Sequence, residues 1–188
     1  ACDRCFLSPD GRGELRAIEQ YANMLVRDAS RTTGGEDLRP FATAVQKLEA
    51  IIGAVGETPG RLSLLGSVYK KLAVALSQQP EVPAAIESTL PTTTEDALAL
   101  AKRNYKAASD VARAAPEGKL DAYGANVWLQ LEYAGSDARP TGAEDLAFGT
   151  ELLEQAKKTA DAPASFWDRS QLGDAYLTMA LLSAPEER

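Results

Sequence analysis

The chain has 188 residues, which is enough for one sizeable core or one continuous stack of helices. Its formal net charge of -7 argues against nonspecific binding to nucleic acid or to an anionic membrane surface, because both need a basic protein surface. Histidine is absent, which excludes Ser-His and Cys-His nucleophile pairs and histidine-containing zinc sites.

The first segment is predicted to be an N-terminal extension, residues 1–12, that precedes one helical-repeat domain over residues 13–188. The only cysteines, Cys2 and Cys5, form a Cys-x-x-Cys pair in this extension. A zinc ion would need further ligands that no third cysteine and no histidine supplies, and no βαβ unit of the redox type is visible. We therefore expect no metal, no cofactor and no catalytic residue in this chain.

Apolar residues recur at intervals of three and four throughout the chain, which predicts amphipathic helices. The first helix is expected over residues 14–29. Its apolar side is formed by Leu15, Ile18, Tyr21, Ala22, Leu25 and Val26. The second is expected to begin near Asp37 with Pro40 in its first turn and to be ended by Gly53 and Gly56. Its buried residues are expected to be Phe41, Val45, Leu48 and Ile52.

The third helix should begin with Thr58 as the N-cap and Pro59 at the first helical position. A loop over residues 79–93 follows, and Thr94 is expected to cap the fourth helix. The apolar stripe predicted for the third helix is Leu62, Leu65, Tyr69, Leu72 and Leu76, and that of the fourth is Leu98, Ala101, Tyr105, Ala108, Ala112 and Ala115.

Three further helices complete the chain. The fifth is expected over about residues 120–134, and the seventh from about residue 165 to about residue 183. Between them, after a turn over residues 135–141, the sixth is expected to carry Leu146, Phe148, Leu152, Leu153 and Ala156. Acidic pairs occur where two helices should start, at Glu95-Asp96 and at Glu144-Asp145, and such residues favour the positive end of the helix dipole.

A short pattern, Leu-Gly-x-x-Tyr-x-x-x-Ala, occurs twice, over residues 65–73 and 172–180. Small residues one turn before and one turn after a tyrosine let a neighbouring helix approach closely, which is typical of the first helix of a tetratricopeptide-type repeat. Gly66 and Gly173 are therefore predicted to lie where helices touch. The predicted fold is all-α, a tetratricopeptide-like right-handed solenoid of about seven antiparallel helices.

Four segments carry a more particular resemblance, namely residues 21–27, 58–73, 121–129 and 166–168. Together they resemble the divergent tetratricopeptide-repeat region of bacterial multidomain proteins that carry CHAT or TIR-type effector domains. That region is similar to the TRAFs-binding region of stress-signalling kinases. The resemblance implies a non-catalytic region that holds partners or positions a neighbouring effector domain.

The candidate partner-binding residues are mostly basic and lie on the third and fourth helices. They are Lys70, Lys71, Lys102, Arg103 and Lys106, together with Asn126 on the fifth helix. The basic residues are either a solvated face or a patch for an acidic peptide. Asn126 is unfavourable in mid-helix and is expected either to hydrogen-bond to a neighbouring helix or to face a ligand. The aromatic residues Tyr69, Tyr105, Tyr123, Trp128 and Trp167 are interpreted mainly as core.

The most favoured function is a non-catalytic protein-interaction scaffold of cytoplasmic location, whose partner is a protein, a peptide or an effector domain of the same full-length chain. One alternative is a regulatory or substrate-recognition segment of a multidomain enzyme. Another is a helical domain that binds a small molecule near Tyr123, Asn126 and Trp128. Leu177 and Leu181 of the last helix are predicted to be partly exposed, which allows weak self-association.

Overall fold

The computed structural model describes residues 12–32, 37–78, 82–116, 121–134, 143–161 and 166–183. Within these ranges the secondary structure is seven α-helices and contains no strand. The helices are α1 Arg12–Thr32, α2 Arg39–Val55, α3 Pro59–Gln78, α4 Thr94–Ala114, α5 Ala122–Tyr133, α6 Ala143–Asp161 and α7 Phe166–Leu182. The predicted all-α class is therefore confirmed for the described residues. The Cys2–Cys5 pair lies outside the described residues.

Side-chain caps fix where two of the helices begin. Thr58 Oγ1 accepts a hydrogen bond from the backbone N–H of Arg61 at 3.2 Å, as predicted for the start of α3. At α4 the predicted cap, Thr94, is wrong by one residue. Thr93 Oγ1 accepts a hydrogen bond from the backbone N–H of Asp96 at 3.0 Å and donates one to the Asp96 carboxylate at 2.8 Å, so Thr93 is the N-cap.

The helices are divided between two compact units, Ala1–Asn104 and Tyr105–Arg188, and the division falls within α4. In the first unit α1 packs against α2 and α3, and α2 packs against α3. The largest fully buried apolar side chains there are Val26, Leu38, Phe41, Val45, Leu48, Val68, Leu72 and Leu76. The single domain predicted over residues 13–188 stays a prediction.

Two side chains predicted on packed sides of α1 and α2 lie elsewhere. Tyr21 is 50% exposed, and Lys47 Nζ lies 5.7 Å from the centre of its ring. Ile52 is only half-buried, whereas its neighbour Ile51 is 5% exposed and occupies the core side of α2. Apolar spacing identified both helices correctly, but their rotation is set by which neighbours they pack against.

In the second unit α6 and α7 pack closely, and α5 contacts both. One cluster of its core consists of Ala122, Ala125, Leu129, Phe148, Leu152 and Leu182. Gly149 lies where α6 and α7 approach each other closely. A Cβ atom placed there would lie 2.5 Å from Leu182 Cδ1 and 3.0 Å from Met179 Sδ.

The acidic pair at the start of α6 has a tertiary role as well as a local one. Glu144 and Asp145 lie in its first turn, as predicted, and the Asp145 carboxylate also accepts a hydrogen bond from the hydroxyl of Tyr133 at the end of α5. Burial, together with this hydrogen bond, raises the pKa of Tyr133 to about 12. The contact ties the end of α5 to the start of α6.

The two copies of the repeated pattern have opposite environments. In α3 the residues Leu65, Gly66, Tyr69 and Ala73 are all buried, as predicted. In α7, Gly173, Tyr176 and Ala180 are exposed, and a Cβ atom at Gly173 would meet nothing within 4 Å. The prediction that Gly173 lies at a helix contact is therefore wrong.

The rotation of α7 explains this difference. Its buried residues are Ala175, Thr178 and Leu182, which are spaced by three and four positions and face the interior. A helix can direct only one such stripe at the two helices it packs against, so the stripe that contains Tyr176 points away. Leu177 is 52% exposed and Leu181 is half-buried, which confirms the predicted exposure of both side chains.

A partly buried arginine links α1 to α3. Arg61 Nε donates to Glu19 Oε1 at 2.8 Å, and the two side chains are only 14% and 25% exposed. Arg61 Nη1 also donates to the carbonyl oxygen of Gly56 at 3.0 Å. One guanidinium therefore connects the first helix, the turn that ends α2 and the start of α3.

We predict that Arg61→Met lowers the free energy of unfolding by roughly 1–3 kcal/mol, because it leaves a partly buried carboxylate and a carbonyl without their donor. Chemical denaturation followed by circular dichroism would measure this. Arg39→Met is the control, since Arg39 pairs with Asp37 at 2.9 Å on the surface and is 78% exposed. The denaturation midpoint of Arg39→Met should hardly change. Equal losses of stability in the two variants would contradict the assigned role of Arg61.

A second prediction concerns Gly149. Gly149→Leu should overpack the contact with Leu182 and Met179 and cost roughly 1–3 kcal/mol of stability. Gly53→Leu is the matched control, because Gly53 is also helical and a Cβ atom there meets nothing within 4 Å. That control should stabilise the fold slightly through helix propensity. Urea denaturation would measure both variants. If the two substitutions shift the midpoint by the same amount, Gly149 does not lie at a close approach of the helices.

Candidate functional site

A cluster of three cations lies on the first unit and is formed by α1 and α3. Lys70 and Lys71, both predicted to bind a partner, are half-buried on α3. Burial lowers the pKa of Lys71, and the charges of Arg27 and Lys70 lower it further. Both of these charges are positive, so they repel the protonated form of Lys71. We call Arg27, Lys70 and Lys71 the basic cluster.

Sequence reasoning missed Arg27. The residue is exposed on α1, more than forty positions before the lysines, and it joins them only because α1 packs on α3. Its position on the helix could nevertheless have been predicted from the apolar spacing of the sequence. Arg27 lies on the polar side of the predicted first helix, opposite Ala22 and Val26, which are 0% and 1% exposed.

A surface cleft of about 520 Å³ adjoins the basic cluster and shares Arg27 with it. Its described lining residues are Tyr21, Met24, Leu25, Arg27 and Asp28, all on α1. Tyr21 is 50% and Met24 67% exposed, so the cleft presents apolar surface to solvent. Exposed methionine and tyrosine beside cations suit a partner that combines an anionic group with an apolar side chain.

Arg103 belongs to a different neighbourhood from the basic cluster. The hydroxyl of Tyr69 donates to Glu49 Oε1 at 3.2 Å. Burial and the charge of Glu49 raise the pKa of Tyr69, while the charge of Arg103 acts in the opposite direction. Arg103 is exposed but lies close enough to Tyr69 to act on its ionisation, so it shares surroundings with a buried tyrosine and a carboxylate.

The remaining candidate cations lie on α4. Lys106 is paired with Asp110, one turn along the same helix, at 2.9 Å, and its Nζ lies 5.4 Å from the centre of the Trp128 ring. Both contacts hold the lysine against its own unit. Lys102 is half-buried. The structure thus brings Lys70 and Lys71 together and gives Arg103 and Lys106 other neighbours.

Asn126 is 1% exposed, on the interior side of α5. Its Oδ1 has no hydrogen-bond partner among the described residues. The nearby helix position Gln130 behaves differently, because its Nε2 donates to the carbonyl oxygen of Asp174 and to Thr178 Oγ1, both at 3.2 Å. The amide that links α5 to α7 is therefore that of Gln130, which the sequence analysis did not single out.

The aromatic residues are mainly core, as interpreted from the sequence. Tyr69 is 4% and Tyr105 0% exposed. Trp128 is half-buried, with its ring centre 6.2 Å from that of Phe148. Tyr123 departs from this pattern because it is 41% exposed, although its ring contacts Tyr105 edge to face. The side chain of Trp167 lies outside the described residues.

In the described part of the chain, no group of three or more Cys, Asp or Glu side chains is arranged to hold a metal ion. Among the same residues, no helix is both long enough and apolar enough to cross a membrane.

Helices α1 to α3 pack pairwise, α5 to α7 do the same, and small residues lie buried at the helix contacts. These features define a helical-repeat protein of the tetratricopeptide type. The family model of the Tetratricopeptide Repeats-Sensor, TPR-S, matches residues 4–136, and the chain belongs to that family. The match includes α1 to α5, while α6 and α7 lie beyond it. No curated protein and no solved structure matches the chain.

The packing of the basic cluster leads to a prediction about the ionisation of Lys71. Lys71 should titrate below the usual lysine value of 10.5, and Arg27→Gln should raise its pKa by removing a repelling charge. Nuclear magnetic resonance titration of the lysine side chains would measure both values. Arg16→Gln, eleven residues and about 16 Å earlier on α1, is the control and should leave Lys71 unchanged.

The same depressed pKa has a consequence for stability. The folded state disfavours protonated Lys71, so the unfolded state binds more protons between the folded pKa and 10.5. The contribution of Lys71 to the free energy of unfolding should therefore rise with pH across that window. A Lys71 pKa that does not respond to Arg27→Gln would show that the two side chains do not interact.

Proposed function

We propose that this domain is a non-catalytic interaction module that binds an acidic peptide segment at the basic cluster and the adjoining cleft. The carrying observation is the convergence of Arg27 with Lys70 and Lys71, two of which are half-buried, beside exposed apolar surface. Holding like charges together is unfavourable, and an anionic partner relieves that repulsion. The peptide belongs to a partner protein or to an effector domain of the same full-length chain.

The shape of the site supports a peptide with both anionic and apolar residues. Carboxylates of the peptide bind the two lysines and Arg27, while an apolar side chain enters the cleft beside Tyr21 and Met24. Asp28 also lines the cleft, which favours an apolar residue over a second carboxylate at that point. The family description, with the word sensor, supports a role in which such binding is passed on to a neighbouring domain.

A CHAT or TIR-type effector domain beside this module, and a cytoplasmic location, stay predictions. The small-molecule hypothesis at Tyr123, Asn126 and Trp128 has one observation in its favour, the buried Oδ1 of Asn126 without a partner. Asn126 is 1% exposed, so a ligand would reach it only after the surrounding helices move. The basic cluster needs no such rearrangement, and we prefer it.

The binding test uses a labelled synthetic peptide with a central leucine flanked by glutamates, and a matched peptide with glutamines in their place. The purified domain should bind the first peptide and not the second. Its affinity should fall several-fold as salt is raised toward 1 M, where the Debye length shortens to about 3 Å. It should also fall as pH rises through the pKa of Lys71, because the neutral amine no longer attracts a carboxylate.

Charge reversal locates the site. Arg27→Glu with Lys70→Glu should weaken binding of the glutamate peptide by at least about tenfold, equal to about 1.4 kcal/mol. Arg16→Glu with Lys158→Glu makes the same change in net charge at exposed positions on α1 and α6 and should have little effect. Equal losses in the two double variants would mean that net charge governs binding, and the proposed site would be rejected.

A further inference from the structure

The exposed face of α7 is built from the second copy of the repeated pattern. The exposed residues over 169–183 are Arg169, Ser170, Gly173, Tyr176, Leu177, Ala180 and Ser183. Four of them, Arg169, Gly173, Tyr176 and Ala180, follow one another at intervals of four, three and four. That spacing produces a straight seam on a helix that packs against another helix. We call Gly173, Tyr176, Leu177 and Ala180 the α7 face.

The first copy of the pattern shows what these residue types do when a helix covers them. In α3, Gly66 and Ala73 are buried, and Tyr69 is 4% exposed with its hydroxyl on Glu49 of α2. In α7 the equivalent tyrosine, Tyr176, is 53% exposed. The same small–large–small arrangement is thus a packed surface in one helix and an uncovered one in the other.

We infer that the α7 face binds the α7 face of a second copy of this chain, with the two helices antiparallel about a two-fold axis. In an antiparallel pair of identical helices, the residue numbers of two residues that lie opposite each other always add up to the same total. One such register sets Tyr176 against Gly173 of the second copy, and therefore Gly173 against its Tyr176. A Cβ atom at Gly173 meets nothing within 4 Å, so space for the tyrosine ring exists in the folded monomer.

The same register makes the flanking positions complementary. Leu177, which is 52% exposed, lies opposite the half-buried Leu172 of the second copy, and Ala180 lies opposite Arg169. Each contact occurs twice, as a two-fold axis requires, so one surface serves both copies. Small residues at Gly173 and Ala180 allow the helix axes to approach closely.

Charge supports a second copy at this face. The chain has a net charge of -7, so most encounters between copies bring carboxylates together. The exposed residues described on α7 include Arg169 and no acidic side chain. Beside this face, Lys157 of α6 lies close enough to Tyr176 for the two to interact, and it is paired with Glu154 at 2.9 Å. Two copies can therefore meet at the α7 face without bringing exposed carboxylates of α7 together. A single helix pair buries less than about 1,200 Å², which places the dimer in the weak, concentration-dependent class.

Sedimentation equilibrium of the purified domain, taken up to about 1 mM protein, should show reversible dimer formation. Gly173→Gln should weaken the dimer by at least about tenfold, because the new side chain fills the space that the tyrosine of the second copy occupies. The monomer accepts this change, since Gly173 is exposed and glutamine favours helix more than glycine does. Tyr176→Ala and Leu177→Glu should weaken the dimer similarly.

Matched controls lie on the first unit. Tyr21→Ala removes a tyrosine that is 50% exposed, and Val74→Glu charges an apolar residue that is 57% exposed. Both should leave the dimerisation constant unchanged. The inference is overturned by a strict monomer at the highest concentration, or by a dimer that Gly173→Gln and Tyr176→Ala leave intact. It is equally overturned if Tyr21→Ala weakens the dimer as much as Tyr176→Ala.

Discussion

Burial of α3 on most of its circumference is the constraint from which the first unit and its candidate site follow. Ten of its residues are buried, from Leu62 to Leu76, and they include the glycine and the tyrosine of the repeated pattern. A helix packed on so many sides leaves only a narrow strip for polar side chains. Lys70 and Lys71 occupy that strip, so both are half-buried.

Electrostatics at this strip result from packing and not from composition. The chain is acidic overall, yet α1 brings Arg27 close enough to Lys71 to lower its pKa. Lys106, by contrast, lies on the surface and is paired with Asp110 on its own helix. An exposed ion pair of this kind contributes little to the free energy of unfolding. The positive charges that act on Lys71 therefore come partly from its own helix, through Lys70, and partly from α1, through Arg27.

The two units use one packing pattern in two ways. In α3 the Leu-Gly-x-x-Tyr-x-x-x-Ala residues are interior, and in α7 the buried stripe is Ala175, Thr178 and Leu182. The choice in α7 is coupled to Gly149, whose missing side chain lets Leu182 approach α6. Gln130 reinforces the same rotation through its hydrogen bonds to Asp174 and Thr178. The exposed side of α7 is a consequence of these contacts.

Local chemistry alone determined the helical elements of this protein. Apolar spacing, the Thr58 cap and proline in the first turns of α2 and α3 specify seven helices and their order, because each signal acts within one or two helical turns. The buried tyrosines of α3 and α4 were likewise readable from their spacing. Helix rotation, however, depends on which neighbours a helix meets. For that reason only the tertiary structure decided that Tyr21 and Tyr176 are exposed, that Arg27 joins Lys70 and Lys71, and that Asn126 is enclosed. These are relations between residues tens of positions apart, and no local pattern in the sequence encodes the contact that brings them together.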